Sequence, residues 1–333
     1  MTLLKTVARS RIRAPQLAGA SFRRTLVEVR TFNNHYNDVN IPRFRELSDQ
    51  LLLPVVLRGP GGLPVQNLPA QQKWFSHDPG QDPFTPYLRN FSVHPFPYEL
   101  TAPQPTGDGG DAVSLFFTWL SEKASDQEES VRILAPLKDS LLKPGSPPFH
   151  QFLAPLSLLL AAHRFNTTSP HKLRNLYIAQ AAHDELPAPL TDDLPAPALV
   201  RTAQKGDVYG TSIWMGLEPT YTPFHRDPNP NLFVQLRGSK TFRLLPPTEG
   251  TALHRKVLRH LGRVGNGRLR GSEMMVGPER GLLHESVWGH NGDIYEVTVS
   301  PGEALFVPLG WWHSVRSIGE DGDLNASCNW WFR

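Results

Sequence analysis

A mainly β chain with a helical N-terminal part is the expectation, and three observations point there. The 333 residues include 32 prolines, which favours short strands and loops because proline fixes φ and removes a backbone donor. Residues 175–180, 232–236, 241–245 and 295–299 carry alternating or short apolar runs, the two-residue period of a strand. Residues 111–165 instead place apolar side chains at helical spacing in two runs.

Composition narrows the class. Hydrophobic residues make up 39% and charged residues 20%, a globular balance that excludes a disordered chain. Nothing approaches the roughly 18 consecutive apolar residues of a membrane span. One cysteine, Cys328, excludes an internal disulfide framework and a cysteine-based zinc cluster. Residues 1–30 carry Lys5, Arg9, Arg11, Arg13, Arg23, Arg24 and Arg30 against Glu28 alone, so this leader is +6 and the remainder −3. Arginine-rich, with Ser and Thr and no acid before Glu28, it reads as a mitochondrial transit peptide, with processing between Phe22 and Phe32 and residence in the matrix; a cytoplasmic or nuclear site is the alternative. The remainder, 31–333, reads as one domain.

Within it, 41–170 is the helical and loop-rich part. Pro42, Phe44, Leu47 and Leu51 suit a helix that Pro54 ends, and a short buried strand follows to Gly59. Residues 60–112 are rich in Pro, Gly and aromatics and are expected to border a substrate groove. His150 and His163 fall in the helical stretch and read as packed or surface histidines rather than ligands. Asp192 and Asp193 sit between L-P-A-P repeats, which reads as an exposed loop. The strand-rich core is 171–333, with residues 232–236 and 241–245 expected to form a hairpin across Gly238-Ser239. A basic insertion, 251–294, interrupts it, with six Lys/Arg and no acid through Arg270. Leu253, Val257, Leu258 and Leu261 line one face of its helix. The opposite, basic face is a solvated surface or a dock for an acidic partner, RNA or anionic lipid. His284 and His290 lie in the same insertion.

The chemistry is carried by T-P-F-H-R-D, residues 222–227, and by G-W-W-H, residues 310–313. His225 and Asp227 are two apart, so in a strand they project to one face. Together with His313 they make two imidazoles and one carboxylate, the set that holds non-haem Fe(II) with positions left open. The pair alone is weak evidence, since a hydrogen-bonded His/Asp pair on a surface has the same pattern.

Several residues around the pair extend the pattern. Thr222 precedes His225; Asn231 and Lys240 follow it by six and fifteen; 54–59 is P-V-V-L-R-G, 175–180 is N-L-Y-I-A-Q, and Asn329-Trp330-Trp331 closes the chain. In this set the chain resembles the JmjC (jumonji C) hydroxylases, a branch of the cupin-type 2-oxoglutarate oxygenases, from about Ile41 to the C-terminus. The resemblance implies a double-stranded β-helix (jelly-roll) barrel. It implies His225, Asp227 and His313 as Fe(II) ligands and Lys240 as the cation for the far carboxylate of the 2-oxoglutarate cosubstrate. Thr222 and Tyr177 would donate to the same carboxylate, and Asn231 and Asn329 would be pocket amides near the metal.

The reaction it implies is hydroxylation of a protein side chain or an RNA base, with release of succinate and CO2. A macromolecular substrate is favoured over a small metabolite by the basic insertion. N-methyl demethylation by the same chemistry, and a non-catalytic cupin-fold binding module, are the alternatives. A monomer is expected, because the C-terminal dimerisation helices of many such hydroxylases have no counterpart in the sequence.

Overall fold

A computed structural model describes residues 26–32, 40–46, 52–59, 68–76, 78, 80–101, 112–123, 133, 148–202, 205–263, 275–289 and 293–333. Among these residues the strands are β1 (Leu26–Glu28), β2 (Arg30–Phe32), β3 (Val55–Leu57), β4 (Pro95–Thr101), β5 (Phe149–Pro155), β6 (Leu176–Ala182) and β7 (Val208–Leu217). They continue with β8 (Tyr221–Arg226), β9 (Asn231–Arg237), β10 (Lys240–Leu245), β11 (Ile294–Val299), β12 (Ala304–Val307), β13 (Trp312–Ser317) and β14 (Leu324–Phe332). One sheet runs β1-β11-β10-β13-β8, and the other runs β2-β3-β12-β9-β14-β7-β6-β4-β5.

From β11 onward, and from β8 to β10, the chain passes back and forth between the sheets. Side chains of both inner faces meet in one layer that includes Phe233, Phe242, Leu244, Val299, Leu305 and Val315. This is the jelly-roll arrangement expected of the fold.

That crossing overturns one expectation. Residues 232–236 and 241–245 are not a hairpin: β9 pairs with β12 and β14, whereas β10 pairs with β11 and β13. Both strands are buried nearly throughout, so each needs a cover on either face. Placing them in opposite sheets provides it, and Phe233 meets Phe242 edge-on across the interior at 4.8 Å. Gly238 makes the crossing, with φ +65° and Asn325 Nδ2 only 2.7 Å from where a Cβ would stand.

Helices cover the outer faces. Ala112–Lys123 and Ser157–Thr168 pack beneath the large sheet, with Phe116 against Phe165 at 5.5 Å. Between those helices 149–155 is a strand, not a helix, paired with β4 along its whole length. His150 is therefore a buried strand residue, and His163 packs on Phe84 at 5.7 Å. Asp193 is also not in an exposed loop: it is 1% exposed and accepts from Trp74 Nε1 at 2.9 Å and Lys73 Nζ at 2.6 Å.

The basic segment supplies Pro247–His260 and Pro278–Trp288, whose Val257, Leu283 and Val287 pack on Phe224, Leu245 and Trp312 of the five-stranded sheet. Arg255, Lys256 and Arg259 remain exposed on the far side. Cys328 is buried in β14. No helix of the described residues is long and apolar enough to cross a membrane.

At the N-terminus, β1 and β2 join the two sheets by parallel pairing, Leu26 beside Ile294 and Phe32 beside Leu57. The boundary read at residue 30 falls inside β2, whose Arg30 and Thr31 pair with Val55 and Val56. His290 and residues 264–270 lie outside the described residues.

Candidate metal centre

The centre is built where β8 lies antiparallel to β13, with His225 directly opposite His313. Their ring centroids are 4.3 Å apart. Asp227 follows the end of β8, two residues from His225 and therefore on the same inner face. Its Oδ1 is 3.5 Å from His225 Nε2, and its Oδ2 is 3.7 Å from His313 Nε2. One ligand atom from each residue lies within 4.8 Å of the other two.

The far side of each ring decides what it offers. His225 Nδ1 is 2.8 Å from the Pro223 carbonyl, and His313 Nδ1 is 3.4 Å from that of Trp311. A carbonyl only accepts, so each Nδ1–H donates and leaves the Nε2 lone pair turned toward Asp227. Burial, then the neighbouring His225, lowers the His313 imidazole to about 4. Burial would raise the Asp227 carboxyl, but a hydrogen bond from His225 and the positive charge of both rings in their protonated form outweigh that and hold it well below the usual carboxylate range. A neutral imidazole beside an ionised carboxylate suits a divalent cation. With outer partners already holding all three side chains, the donor set fits such an ion.

Thr222 reaches this face through an irregularity. Counting back from His225 by three would put it on the opposite side of a regular strand. A bulge makes His225 and Thr222 the register partners of His313 and Val315, three positions against two. Thr222 thereby joins the inner wall.

Lys240 opens β10, opposite Ser317 and four residues along β13 from His313. It is 3% exposed, and its Nζ donates to Tyr177 Oη at 3.0 Å and to Ser327 Oγ at 2.8 Å. Tyr177 is brought there by β6, which runs beside β7. A cavity of about 60 Å³ opens beside Tyr177, with Glu99, Thr220 and Arg280 on its walls.

Asn231 and Asn329 come together on the metal side. Asn231 Nδ2 donates to Asp227 Oδ2 at 2.9 Å, and Asn329 Nδ2 donates to Asn231 Oδ1 at 3.2 Å. All eight residues singled out in the sequence thus face one interior. Two more were missed. Ser327 contacts Lys240, and Trp214 Nε1 donates to Asn329 Oδ1 at 2.7 Å. Ser327 lies two residues before Asn329 on the same strand, so alternation alone could have found it; Trp214 carries no local signal. His284 is not drawn in: it sits on the covering helix Pro278–Trp288 and packs on Tyr221 at 5.2 Å.

Residues 120–333 match the family model of the cupin-like domain. JmjC domain-containing protein D of Dictyostelium discoideum is 31% identical over 116 residues, 35% of this chain and 24% of that protein. Lysine-specific demethylase JMJ30 of Arabidopsis thaliana is 26% identical over 185 residues, 55% of this chain and 39% of that protein. Jumonji C domain-containing protein 5 of Drosophila melanogaster is 29% identical over 163 residues, 46% of this chain and 36% of that protein. The matched segments thus span 24% to 39% of those relatives' own lengths. A model match over more than half the chain, on a jelly-roll whose inner wall carries the His-Asp-His set, shows that the chain belongs to the JmjC-type cupin-like family.

Proposed function

We propose that this chain is an Fe(II)- and 2-oxoglutarate-dependent oxygenase that hydroxylates a protein side chain or an RNA base. The observation that carries this reading is the convergence of His225, Asp227 and His313 ligand atoms within 4.8 Å on the inner wall of the barrel. These three residues would hold the iron. Lys240 would hold the far carboxylate of 2-oxoglutarate, with Thr222 and Tyr177 donating beside it. When bound, iron, 2-oxoglutarate and O2 would together supply the power to oxidise an unactivated C–H bond, one oxygen atom of O2 ending in succinate, formed with CO2, and the other in the hydroxyl group.

The residues of the chain would do the rest. Lys240 meets a carboxylate with a charge-assisted hydrogen bond, which is strong where water is excluded. Phe233, Phe242 and Val315 exclude it, lining the interior between the lysine and the ligand set. The carbonyls of Pro223 and Trp311 hold both imidazoles in the tautomer that a metal requires. Glu99, from the stretch expected to border the substrate groove, lines the cavity beside Tyr177 and supports entry of the second substrate there.

N-methyl demethylation is the second reading, supported by relatives named as lysine-specific demethylases in Arabidopsis, Xenopus and zebrafish. Both readings share the first half of the reaction, so one experiment tests them together. The full chain, with Fe(II) and ascorbate, is incubated with 2-oxoglutarate beside His225→Ala and Lys240→Ala, and succinate is measured. Succinate from the wild type that is lost in both variants is expected. Equal succinate from all three would overturn the site. If the wild type forms none, failure of 2-oxoglutarate to bind the Mn(II)-loaded chain would replace the oxygenase with a non-catalytic binding module.

A further inference from the structure

The hydrogen bonds behind Asp227 continue across the large sheet in one direction. Trp214 on β7 donates to Asn329 on β14, Asn329 donates to Asn231 on β9, and Asn231 donates to the Asp227 carboxylate, at 2.7, 3.2 and 2.9 Å. The three strands are adjacent, β9-β14-β7, so the bonds step diagonally from strand to strand. The two amides are 1% and 7% exposed at Asn329 and Asn231.

We propose that Trp214, Asn329 and Asn231 are positioning residues that fix the Asp227 carboxylate for a divalent metal ion, an inference that rests on the metal site proposed above. Its direction is set at both ends. An indole N–H can only donate, and an ionised carboxylate can only accept. Two carboxamides strung between them have one orientation that satisfies every link. Turning Asn231 over would set its carbonyl against the carboxylate. Turning Asn329 over would set N–H against N–H at Trp214 and carbonyl against carbonyl at Asn231. The indole therefore settles the Asn329 amide, which settles that of Asn231, which pins Oδ2 of Asp227. A carboxylate held in this way spends no rotational freedom when a metal arrives. The two asparagines thus act on the metal ligand, beyond the pocket role that their resemblance implies.

The test is Mn(II) binding by calorimetry with the full chain, alongside thermal unfolding of the metal-free protein. Asn231→Ala is expected to weaken Mn(II) about 10- to 100-fold, the usual effect of removing an outer partner of a metal ligand. Trp214→Phe keeps the ring that stacks on Tyr177 at 5.9 Å and removes only the N–H. It should weaken Mn(II) by about 3- to 10-fold, one hydrogen bond's worth, with the metal-free unfolding temperature close to wild type. Because Trp214 acts through Asn231, the double variant should bind no more weakly than Asn231→Ala alone. If Asn231→Ala does not fold, Asn329→Ala replaces it in the cycle. Unchanged Mn(II) affinity in the variants, or losses that add, would overturn the relay while leaving the metal site standing. Failure of the wild type to bind Mn(II) would overturn the site itself.

Discussion

Replacing Lys240 with methionine distinguishes a lysine kept for a ligand from one kept for the fold. The ammonium is 3% exposed and donates to Tyr177 Oη and Ser327 Oγ. It also lies 5.5 Å from the centres of the Phe233 and Tyr177 rings. Methionine retains most of the stem volume, so those apolar contacts survive with little repacking. Losing the donor strands two hydroxyls at about 1 kcal/mol each. Removing a buried ammonium gives back a desolvation cost of several kcal/mol, less the hydrogen bonds that already offset it. These terms oppose each other, so the ligand-free variant should lie within about 1 kcal/mol of wild type, roughly 2–4 °C in unfolding temperature.

Ligand binding has no such compensation. A carboxylate that loses a charge-assisted hydrogen bond loses about 1.5–3 kcal/mol, or roughly 10- to 150-fold in affinity. The assay is calorimetric titration of 2-oxoglutarate into the Mn(II)-loaded full chain, with thermal unfolding followed with and without the ligand. The expected outcome is near-normal unfolding without ligand and loss of the shift that 2-oxoglutarate produces. A variant that unfolds about 10 °C early yet binds 2-oxoglutarate normally would refute the reasoning, because Lys240 would then be a structural hub.

Three other outcomes are expected. A Cβ at Gly216 would stand 2.2 Å from the Tyr177 ring and 2.7 Å from the Leu176 carbonyl. Gly216→Ala should therefore cost about 1–3 kcal/mol and weaken 2-oxoglutarate binding by displacing Tyr177, as calorimetry and thermal unfolding would show. Burial lowers His163, and burial with the Arg226 charge lowers His254, from 6.5. A histidine with a depressed folded pKa stabilises the protein above 6.5, and that stability is lost as pH falls through the folded value. Urea unfolding should show falling stability from pH 7.5 to 5.5 with a shallower fall in His254→Gln, and equal slopes would contradict this. We propose import into the mitochondrial matrix, and because β1 begins at Leu26 and pairs with Ile294, cleavage should fall before Leu26. N-terminal sequencing of the imported protein checks this, and a mature end beyond Leu26 would contradict it.

How much of this was legible in the sequence differs from residue to residue. His225 and Asp227 share a face because alternation is a property of one strand, and the sequence contains it entire. Lys240, Tyr177 and Asn329 could be placed only through a family resemblance, since each acts across strands far apart in the chain. Thr222 shows the limit of local counting, because its inward placement depends on a bulge that exists only against β13. The stretch 149–155 has helical spacing yet becomes a strand, since β4 offers a full ladder of partners and propensity is the weaker term. Asp193, flanked by prolines, reads as a loop residue until Trp74 and Lys73 converge on it.

By itself, then, the sequence determined the strand-rich class, the facial pairing of His225 with Asp227, and the apolar face of the helix Pro247–His260. These depend on periods of two and 3.6 residues, which the strand end carrying His225 and Asp227 and the helix Pro247–His260 keep at those positions. Only the tertiary structure decided that β9 and β10 enter opposite sheets, that Ser327 meets Lys240, and that Trp214 stands three hydrogen bonds from Asp227. Those are choices among long-range pairings. They are made by burial on both faces of each strand and by the demand that every buried polar group find a partner, and both conditions are met only once the two sheets close on each other.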